Sequence, residues 1–555
     1  MKTDVLVVGG GPVGLGAAIA LGRAGVRTVL VERRTSTAYH PRGHVVNART
    51  LEIFRQWEIA EEVRRAGLPH ERNRGSAFVT RMSKPAIGTI VLHGDSPERD
   101  AVVEGYSPYP KISCPQDVLE PILKRNAEAT AGVDVRFGVR VTDLHDTGDG
   151  VQVTVADGDG DEEPIHARYV VAADGARSFV REQLGIEMTG VGRMGNQMGV
   201  YFHADLWKYV EDRPYLLWWV YNADTTGVLT ALDGRYRWTY NFAYDPAVDP
   251  PGDFTPQRCT DLIRAAVGDP SLEIDIRSAN PWYMQARIAD TMRRGNVFLA
   301  GDAAHPLPPT GGQGMNTGMA DVHNLAWKLA LVLRGEAGES LLESYDEERL
   351  PTALFNIEQS VTNARSMADS GLGGVLKNDE ELSGTIESRD EAGLADIRAA
   401  IARQRDHFEY HGQVFGVTYR SSVIIPDGAP TPPMTIGTYQ PSAHPGARAP
   451  HLWLDAARTR SVLDLFTCAT FTLLTTATAR DFWTETVRHL HGRPVRPRIV
   501  ALGEGGDHPE ADPRFTTLYG IGPGGAVLVR PDGHVAWRSA TADPADLGAA
   551  LAALG

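Results

Sequence analysis

The order of apolar and polar positions divides the chain before any single residue is weighed. Val5 to Val8 are apolar without a break, which predicts a buried strand. An Ala- and Leu-rich stretch with helical character comes next, and Val29 to Val31 predict a second strand ending at Glu32. Leu51 to Val63 has the period of one amphipathic helix. Residues 77–105 are mixed and Pro-containing. Gln116 to Thr130 reads as a helix whose Pro121 is tolerable near a first turn. Val133 to Val155 reads as a hairpin turning at Thr147 to Gly150, and Tyr169 to Ala173 as another buried strand. From Met198 to Tyr244 alternating segments are separated by turn signals such as Asp233-Gly234, which predicts an antiparallel sheet. Helical pattern returns at Met315, runs to Leu333 and continues toward Met367. Residues 370–397, Gly-rich and then acidic, read as a mobile excursion. The Pro/Gly-rich stretch from Pro426 to Pro450 reads as a linker, and the chain beyond it alternates strand and helix like a small α/β domain.

Composition narrows the classes of function. A chain of 555 residues predicts roughly two to four domains. A formal net charge of −15 disfavours nucleic acid and anionic membranes as partners. The three cysteines, Cys114, Cys259 and Cys468, lie too far apart for a C-x-x-C pair or a zinc cluster. Met1 to Asp4 run straight into the first strand with no room for a signal peptide, so a cytoplasmic protein is expected. No apolar run approaches the ~20 residues of a membrane span; the aromatic run Tyr215 to Tyr221 is strand-length.

The chemistry sits in three motifs. Gly9, Gly11 and Gly14, with Pro12 and Val13 between them, have G-x-G-x-x-G spacing between the first strand and the first helix. In that context the first glycine permits a tight turn, the second lets a pyrophosphate approach the backbone, and the third lets helix and strand pack closely. Glu32 is placed to accept hydrogen bonds from a ribose, which suits FAD or NAD and disfavours a 2′-phosphate. Gly190, Gly192 and Gly195 repeat the spacing, but no apolar strand precedes them and a strand-like pattern comes after. The second motif, Asp174-Gly175-Ala-Arg177-Ser178-Phe-Val-Arg181, ends an apolar strand. The third places Gly301, Asp302 and His305 at the end of another, before a Pro/Gly loop that enters a helix. A strand-end carboxylate suits a sugar-alcohol hydroxyl, and a Gly-rich helix entry offers backbone N–H groups to an electron-rich ring edge.

With the three motifs in this order, the chain resembles the class A flavoprotein monooxygenases, the p-hydroxybenzoate hydroxylase family, over roughly residues 1 to 365. HPRGHVVNART and DLWKYVEDRP look most like the phenol and chlorophenol monooxygenases. Tyr519 to Trp537 resembles the thioredoxin-like C-terminal domain of larger members, some of which tailor aromatic polyketides. The resemblance implies an α/β protein: a Rossmann-type FAD-binding domain (1–75, 106–182 and 286–365), an inserted antiparallel-sheet substrate domain (76–105 and 183–285), a connection (366–425), and a linker with a thioredoxin-like domain (426–555). Lacking C-x-x-C, that last domain is expected to be redox-inactive.

Carried over residue by residue, the resemblance gives FAD the glycines Gly9, Gly11 and Gly14 at its pyrophosphate, Glu32 at the adenosine ribose, and Arg33 beside adenine. Arg42 and Gln116 would meet phosphate or ribityl groups, and Val141 adenine through its backbone. Asp174 belongs to the middle motif. Gly301 and Asp302 would meet the ribityl chain. Pro309, Gly312, Gly314, Met315 and Asn316 would flank the isoalloxazine, and Arg177 and Ser178 would support FAD or a docking nicotinamide.

The implied reaction is reduction of FAD by NADPH or NADH, formation of a flavin C4a-hydroperoxide with O2, and hydroxylation of a phenolic or polycyclic aromatic ring. His44, just past Arg42, is the candidate base for the substrate hydroxyl, with packing as the alternative. His305 reads as packed or capping, and His489 and His491 as surface. Trp219, Trp238, Tyr240, Tyr283 and Arg287 are candidates for the substrate pocket, with the pocket-facing side of the sheet left open. No metal is expected; a monomer and a homodimer both fit. The readings kept beside this one are a phenol-degrading hydroxylase and a non-catalytic flavoprotein that sequesters an aromatic compound. The W-x-W-x-I-P signature of flavin halogenases and the paired cysteines of disulfide reductases are absent.

Overall fold

The computed structural model describes residues 1–92, 96–369, 372, 386, 387, 389, 391–490 and 495–554. The sequence expectation of a mobile excursion falls largely outside these residues, as does His491.

The first sheet is built on parallel strands β1 (Lys2–Val8), β2 (Thr28–Glu32), β7 (Val133–Phe137), β10 (Glu162–Ala172) and β17 (Val297–Leu299), in spatial order β17-β10-β1-β2-β7. Strand β16 (Arg293–Arg294) flanks β17, and the hairpin β8 (Arg140–Asp146) and β9 (Val151–Ala156) joins β10. The predicted hairpin over 133–155 is thus two things. Residues 133–137 belong to the parallel sheet, and the turn at Thr147–Gly150 closes only β8–β9. Helix α1 (Pro12–Arg23) follows β1. The helix read over 51–63 is broken into α2 (Ala48–Gln56) and α3 (Ala60–Ala66), because Glu58 between them takes a left-handed φ of 63°. Strands β3 (Val45–Val46) and β6 (Ile112–Ser113) form a separate two-stranded antiparallel ribbon, and α4 (Gln116–Ala129) follows it.

The second sheet has the order β15-β11-β14-β13-β12-β4-β5, from β4 (Gly75–Val79), β5 (Gly88–Val91), β11 (Met188–His203), β12 (Leu217–Tyr221), β13 (Thr226–Ala231), β14 (Arg237–Ala243) and β15 (Asp275–Ala289). It is antiparallel except where β12 pairs with β4. Gly190 and Gly192 lie in β11 beside a register shift, and a Cβ on Gly190 would stand 2.6 Å from the Ala286 carbonyl oxygen, so the repeated glycine spacing serves strand packing. Helix α5 (Pro256–Val267) covers one face of this sheet; its Cys259, Ile263 and Val267 pack with Trp218, Trp238 and Tyr240.

Helix α6 (Gly314–Leu333) and α7 (Ser344–Asp369) back the first sheet, and α8 (Glu391–Arg403) lies against β5. The C-terminal sheet has the order β19-β18-β20-β21, from β18 (Thr472–Thr476), β19 (Arg498–Leu502), β20 (Ala526–Val529) and β21 (Val535–Ser539). Residues 426–450 are not a free tether. Ala443, Arg448 and Ala449 are buried, because the segment packs along the C-terminal unit and reaches α2. No described helix is long and apolar enough to cross a membrane, and no described His, Cys, Asp and Glu residues are grouped to hold a metal.

Candidate functional site

The loop between β1 and α1 shows why its glycines are glycines. Gly9 has φ +111°, and a Cβ there would stand 2.4 Å from the Ala173 carbonyl oxygen; one on Gly14 would stand 1.9 Å from that of Gly9. A Cβ on Gly11 would meet nothing within 4 Å. The first and third positions are filled by protein, and the second opens onto space at a helix start whose first-turn amides have no side-chain cap. That is the shape and polarity a pyrophosphate requires. Val13 is held between Gly301 and Gly318, so its side chain packs and does not face the cleft.

Glu32 ends β2 with its carboxylate accepting from the Gly10 amide (2.6 Å) and from Arg34 at both N and Nε (2.9 Å each). Burial would raise its pKa, but the Arg34 side chain and these amides outweigh it and hold the carboxyl below its ordinary range. One acceptor position remains for a ribose hydroxyl. Arg33 and Arg42 are exposed and line a cleft of about 490 Å³ along residues 33–42. Gln116 steadies that loop: its amide donates to Gly43 O (2.8 Å) and its side chain to Glu120 (2.5 Å), which accepts from the Ala38 amide (2.6 Å). Val141 pairs with Val155 in the β8–β9 hairpin. Asp174, beside Gly9, accepts from the Val180 amide at 3.2 Å, while its Oδ1 is buried without a partner. Such an orphaned acceptor fits a site completed by a bound group. Ser178 is buried and caps the short helix Phe179–Gln183.

Gly301 takes φ +60°, and Asp302 after it is exposed. Protein surrounds its carboxyl closely enough that burial raises the pKa, opposed by His305 and Arg42. Asp321 holds this turn from beneath, accepting from Gly301 N (3.0 Å), His305 Nε2 (2.6 Å) and Arg349 Nε (2.8 Å). His305 is therefore a packed, bonded residue. Gly312, at φ +65°, lies against Val45, where a Cβ would stand 2.9 Å away. Pro309 is exposed and closes a turn onto the Gly312 amide (2.9 Å); Gly314 opens α6, and Met315 packs against the core below. Asn316 does not face the cleft with its amide. Its Oδ1 accepts from Asn47 N (3.0 Å) and Thr50 Oγ1 (2.7 Å), and its Nδ2 donates to Val45 O (3.0 Å) and Gly312 O (2.7 Å). All four positions are used, so Asn316 clamps β3 to the glycine loop.

The two faces of the second sheet settle which side looks inward. Trp238 and Tyr240 are fully buried with α5 on the far face, so they do not line a pocket. Tyr283 stacks under Arg193 (4.8 Å), and Arg287 is exposed and donates to Met188 O (3.1 Å); both sit opposite the inward residues of β15. The inward set is Ser278, Asn280 and Trp282 on β15, Gly199 and Tyr201 on β11, and Arg237, Thr239 and Asn241 on β14. His40, from the cleft loop, reaches Ser278 (2.8 Å) and Asn280 (3.0 Å), and a Cβ on Gly199 would meet Asn241, Trp282 and His40 within 3.5 Å. Trp219 has inward parity but is covered. It stacks on Phe78 (5.9 Å, 9°) beneath α8, with its Nε1 lacking a partner. Parity was the signal that sequence reading lacked, since alternation does not say which side is the core.

Comparison with known proteins agrees with this geometry. Residues 2–360 match the FAD binding domain family model, and residues 442–554 match that of the aromatic-ring hydroxylase C-terminal domain. The chain belongs to the FAD-dependent aromatic-ring hydroxylases. It is 36% identical to a putative polyketide hydroxylase of Streptomyces halstedii, covering 98% of this chain and 95% of that one. It is 33% identical to the 2,4-dichlorophenol 6-monooxygenase of Delftia acidovorans (97% and 95%). Among solved structures it superposes on the flavin-dependent monooxygenase PieE, in complex with FAD and substrate, with TM-score 0.90 at 32% identity, covering 100% and 99%. It superposes on aklavinone-11 hydroxylase, in a ternary complex with FAD and aklavinone, with TM-score 0.83 at 34% identity, covering 100% and 98%.

FAD is thus the cofactor of this hydroxylase, and the open space at Gly11, the orphaned Asp174 oxygen and the exposed Asp302 fit it. His44 immediately precedes β3, and its carbonyl oxygen accepts from the Cys114 amide (2.6 Å). Its Nδ1 meets Ser113 Oγ at 3.1 Å, and burial, with the charge of Lys111, pushes its pKa down to about 4. The hydroxylase also uses charges that sequence reading did not single out. Arg530, on the β20–β21 turn, bonds both oxygens of Glu348 on α7 (2.6 and 2.9 Å) and reaches Asp532 Oδ1 (3.0 Å). Lys328 on α6 joins Glu348 at 2.9 Å, and Arg448 pairs with Glu52 on α2. Of these, Arg530–Glu348 and Arg448–Glu52 dock the C-terminal unit on the FAD-binding part.

Proposed function

We propose that this hydroxylase acts on a polycyclic phenol of the aromatic polyketide class, installing one hydroxyl group from O2 at the expense of NAD(P)H. The observation that carries the reading is the inward face of the second sheet. Side chains from β15, β11 and β14 meet the cleft with mixed aromatic and polar character, over two strand spacings of roughly 4.8 Å each plus the reach of Arg237 and Trp282. Such a surface suits fused rings better than one. The full-length likeness to polyketide-modifying relatives supports it; the likeness to a dichlorophenol monooxygenase keeps single-ring phenols as the competing substrate class.

Bound FAD supplies the redox chemistry, accepting a hydride from NAD(P)H and activating O2. The balance is one O2, one NAD(P)H and one proton consumed for one ring hydroxyl and one water formed. The chain's own residues bind, orient and exclude water. The glycine loop and α1 hold the pyrophosphate, Glu32 the ribose and Asp302 the ribityl chain. Gly312 and Val45, drawn together by Asn316, grip the isoalloxazine, and the inward sheet face covers the ring to be hydroxylated. His44, neutral at working pH, is a weak hydrogen-bonding partner for the substrate oxygen. The test is NAD(P)H oxidation by FAD-loaded enzyme across hydroxyanthraquinones, tetracyclic phenols and simple phenols, with product mass under ¹⁸O2. Polycyclic phenols should stimulate oxidation and gain one labelled atom. Stimulation by simple phenols alone would overturn the substrate class.

A further inference from the structure

Asp302, His44 and Lys111 share an uncommon combination. Burial is the largest influence on the pKa of each, yet none of the three residues is fully buried. Asp302 is accounted for by the cofactor; Lys111 is not. It lies immediately before β6, the partner of the strand that packs under Gly312. Its Nζ donates to the Phe408 carbonyl oxygen and lies 4.8 Å from the centre of the Tyr410 ring. Among the described residues no carboxylate forms an ion pair with it. Glu409, the acid nearest in its field, is engaged by Arg405 (2.8 Å) and lies 3.7 Å from Arg99. Removing an ammonium from bulk water without a counter-ion is unfavourable, and here burial brings the Lys111 pKa down to about 8. Two of its three donors remain free for a ligand.

A second observation points the same way. His407, buried and stacked on Phe408 (4.6 Å), leaves its Nδ1 without any partner. Burial and the Lys111 charge push His407 down to about 3 and His411 and His44 down to about 4; for His411 Glu409 opposes and Arg99 adds to the fall. The imidazoles around Lys111 are therefore neutral in the working range, and the Lys111 ammonium has no ion-pair partner among the described residues.

We propose that Lys111 binds the phenolic oxygen of the substrate as phenolate, with His44 and His407 as neutral hydrogen-bonding neighbours. The substrate O–H breaks, its proton leaves to solvent, and the oxyanion stays against the ammonium. The ring gains electron density at the carbons ortho and para to it, where an electrophilic oxygen attacks. This rests on the phenolic substrate class proposed above. The experiment is a pH titration of the visible spectrum of alizarin, a dihydroxyanthraquinone whose colour reports its ionisation, bound to FAD-loaded wild type, Lys111→Met and Lys111→Arg. In wild type the bound dye should ionise with a proton affinity tenfold or more below that of free dye, the effect of an opposite charge at close range. Lys111→Met should lose that shift, and Lys111→Arg should keep most of it. Flavin absorbance confirms that each variant holds FAD. Dye bound by Lys111→Met with its ionisation unmoved from wild type overturns the assignment. Wild type that binds no dye overturns the polycyclic reading, and this subsite with it.

Discussion

Two sets of enclosed charges, one where the C-terminal unit meets α2 and α7 and one at Asp302 and Lys111, are built differently. At the C-terminal dock every charge is matched: Arg530 with Glu348 and Asp532, Lys328 with Glu348, Arg448 with Glu52. Burial would raise the pKa of Glu348 and Asp532, but the Arg530 guanidinium outweighs it and holds both well below the usual carboxylate range. Asp302 and Lys111, neither a fully buried residue, have no ion-pair partner among the described residues. Matched charges fix structure; unmatched charges await a ligand. Removing one member should therefore act in opposite senses in the two places.

The largest effect belongs to the dock. Arg530→Met leaves Glu348 and Asp532 buried with Lys328 as the remaining cation, which should cost about 3–5 kcal/mol of stability, read by denaturant unfolding. The pH dependence has a definite sign. Both carboxyls are depressed in the folded state, so their contribution is complete above the unfolded value near 4 and is lost as pH falls below it. Glu348→Gln should flatten that acid-side loss; an unchanged acid limb would break the matched-charge picture of the dock.

In the cleft, Asp302→Ala should weaken FAD binding roughly 10- to 150-fold, the worth of a charge-assisted hydrogen bond, with little change in the unfolding of the apoprotein. Equal FAD affinity by fluorescence titration would remove Asp302 from the cofactor site. His44→Ala is expected to do less than its place in the sequence suggests. A base held near 4 contributes below the ~10²-fold minimum usual for general base catalysis, and it gives no limb to the pH–rate profile between 6 and 9. A larger loss together with such a limb would restore His44 as the base. Cys468→Ser should change nothing measurable. Burial pushes its thiol up to about 11, so it holds no reactive thiolate, and its sulfur contacts Gln56 at 3.6 Å. Loss of NAD(P)H-dependent flavin reduction in that variant would give the C-terminal unit a redox role.

What was legible in the sequence was what local sterics or spacing dictate. Gly9 and Gly14 have no room for a Cβ, and their spacing between a strand and a helix, with Glu32 in register, announced the phosphate loop; Asp302 stood at a strand end beside a forced φ at Gly301. Alternation along Arg237 to Ala243 announced a strand but not its inward side, so Trp238 and Tyr240 were placed at the pocket when Arg237, Thr239 and Asn241 face it. Asn316 occupied a family position but spends its amide on the backbone of the glycine loop and of β3 and on Thr50. The dock joins Glu52, Lys328, Glu348, Arg448 and Arg530, which are distant in sequence, so no window could show it. Lys111 carries no signal in its own window, because Phe408 and Tyr410 around it are distant in sequence.

The contrast between matched and unmatched charge is tested most directly by one pair of thermal midpoints, measured on substrate-free enzyme at saturating FAD and pH 7. Lys111 has a folded value near 8 against an ordinary lysine value of about 10.4, so its charged form opposes folding at neutral pH, and wild-type stability should rise as pH passes from about 8 to about 10.4. Lys111→Met removes that opposition and should melt at or above wild type, with a smaller alkaline rise. Arg530→Met should melt well below it. Midpoints that fall together in both variants would contradict the account.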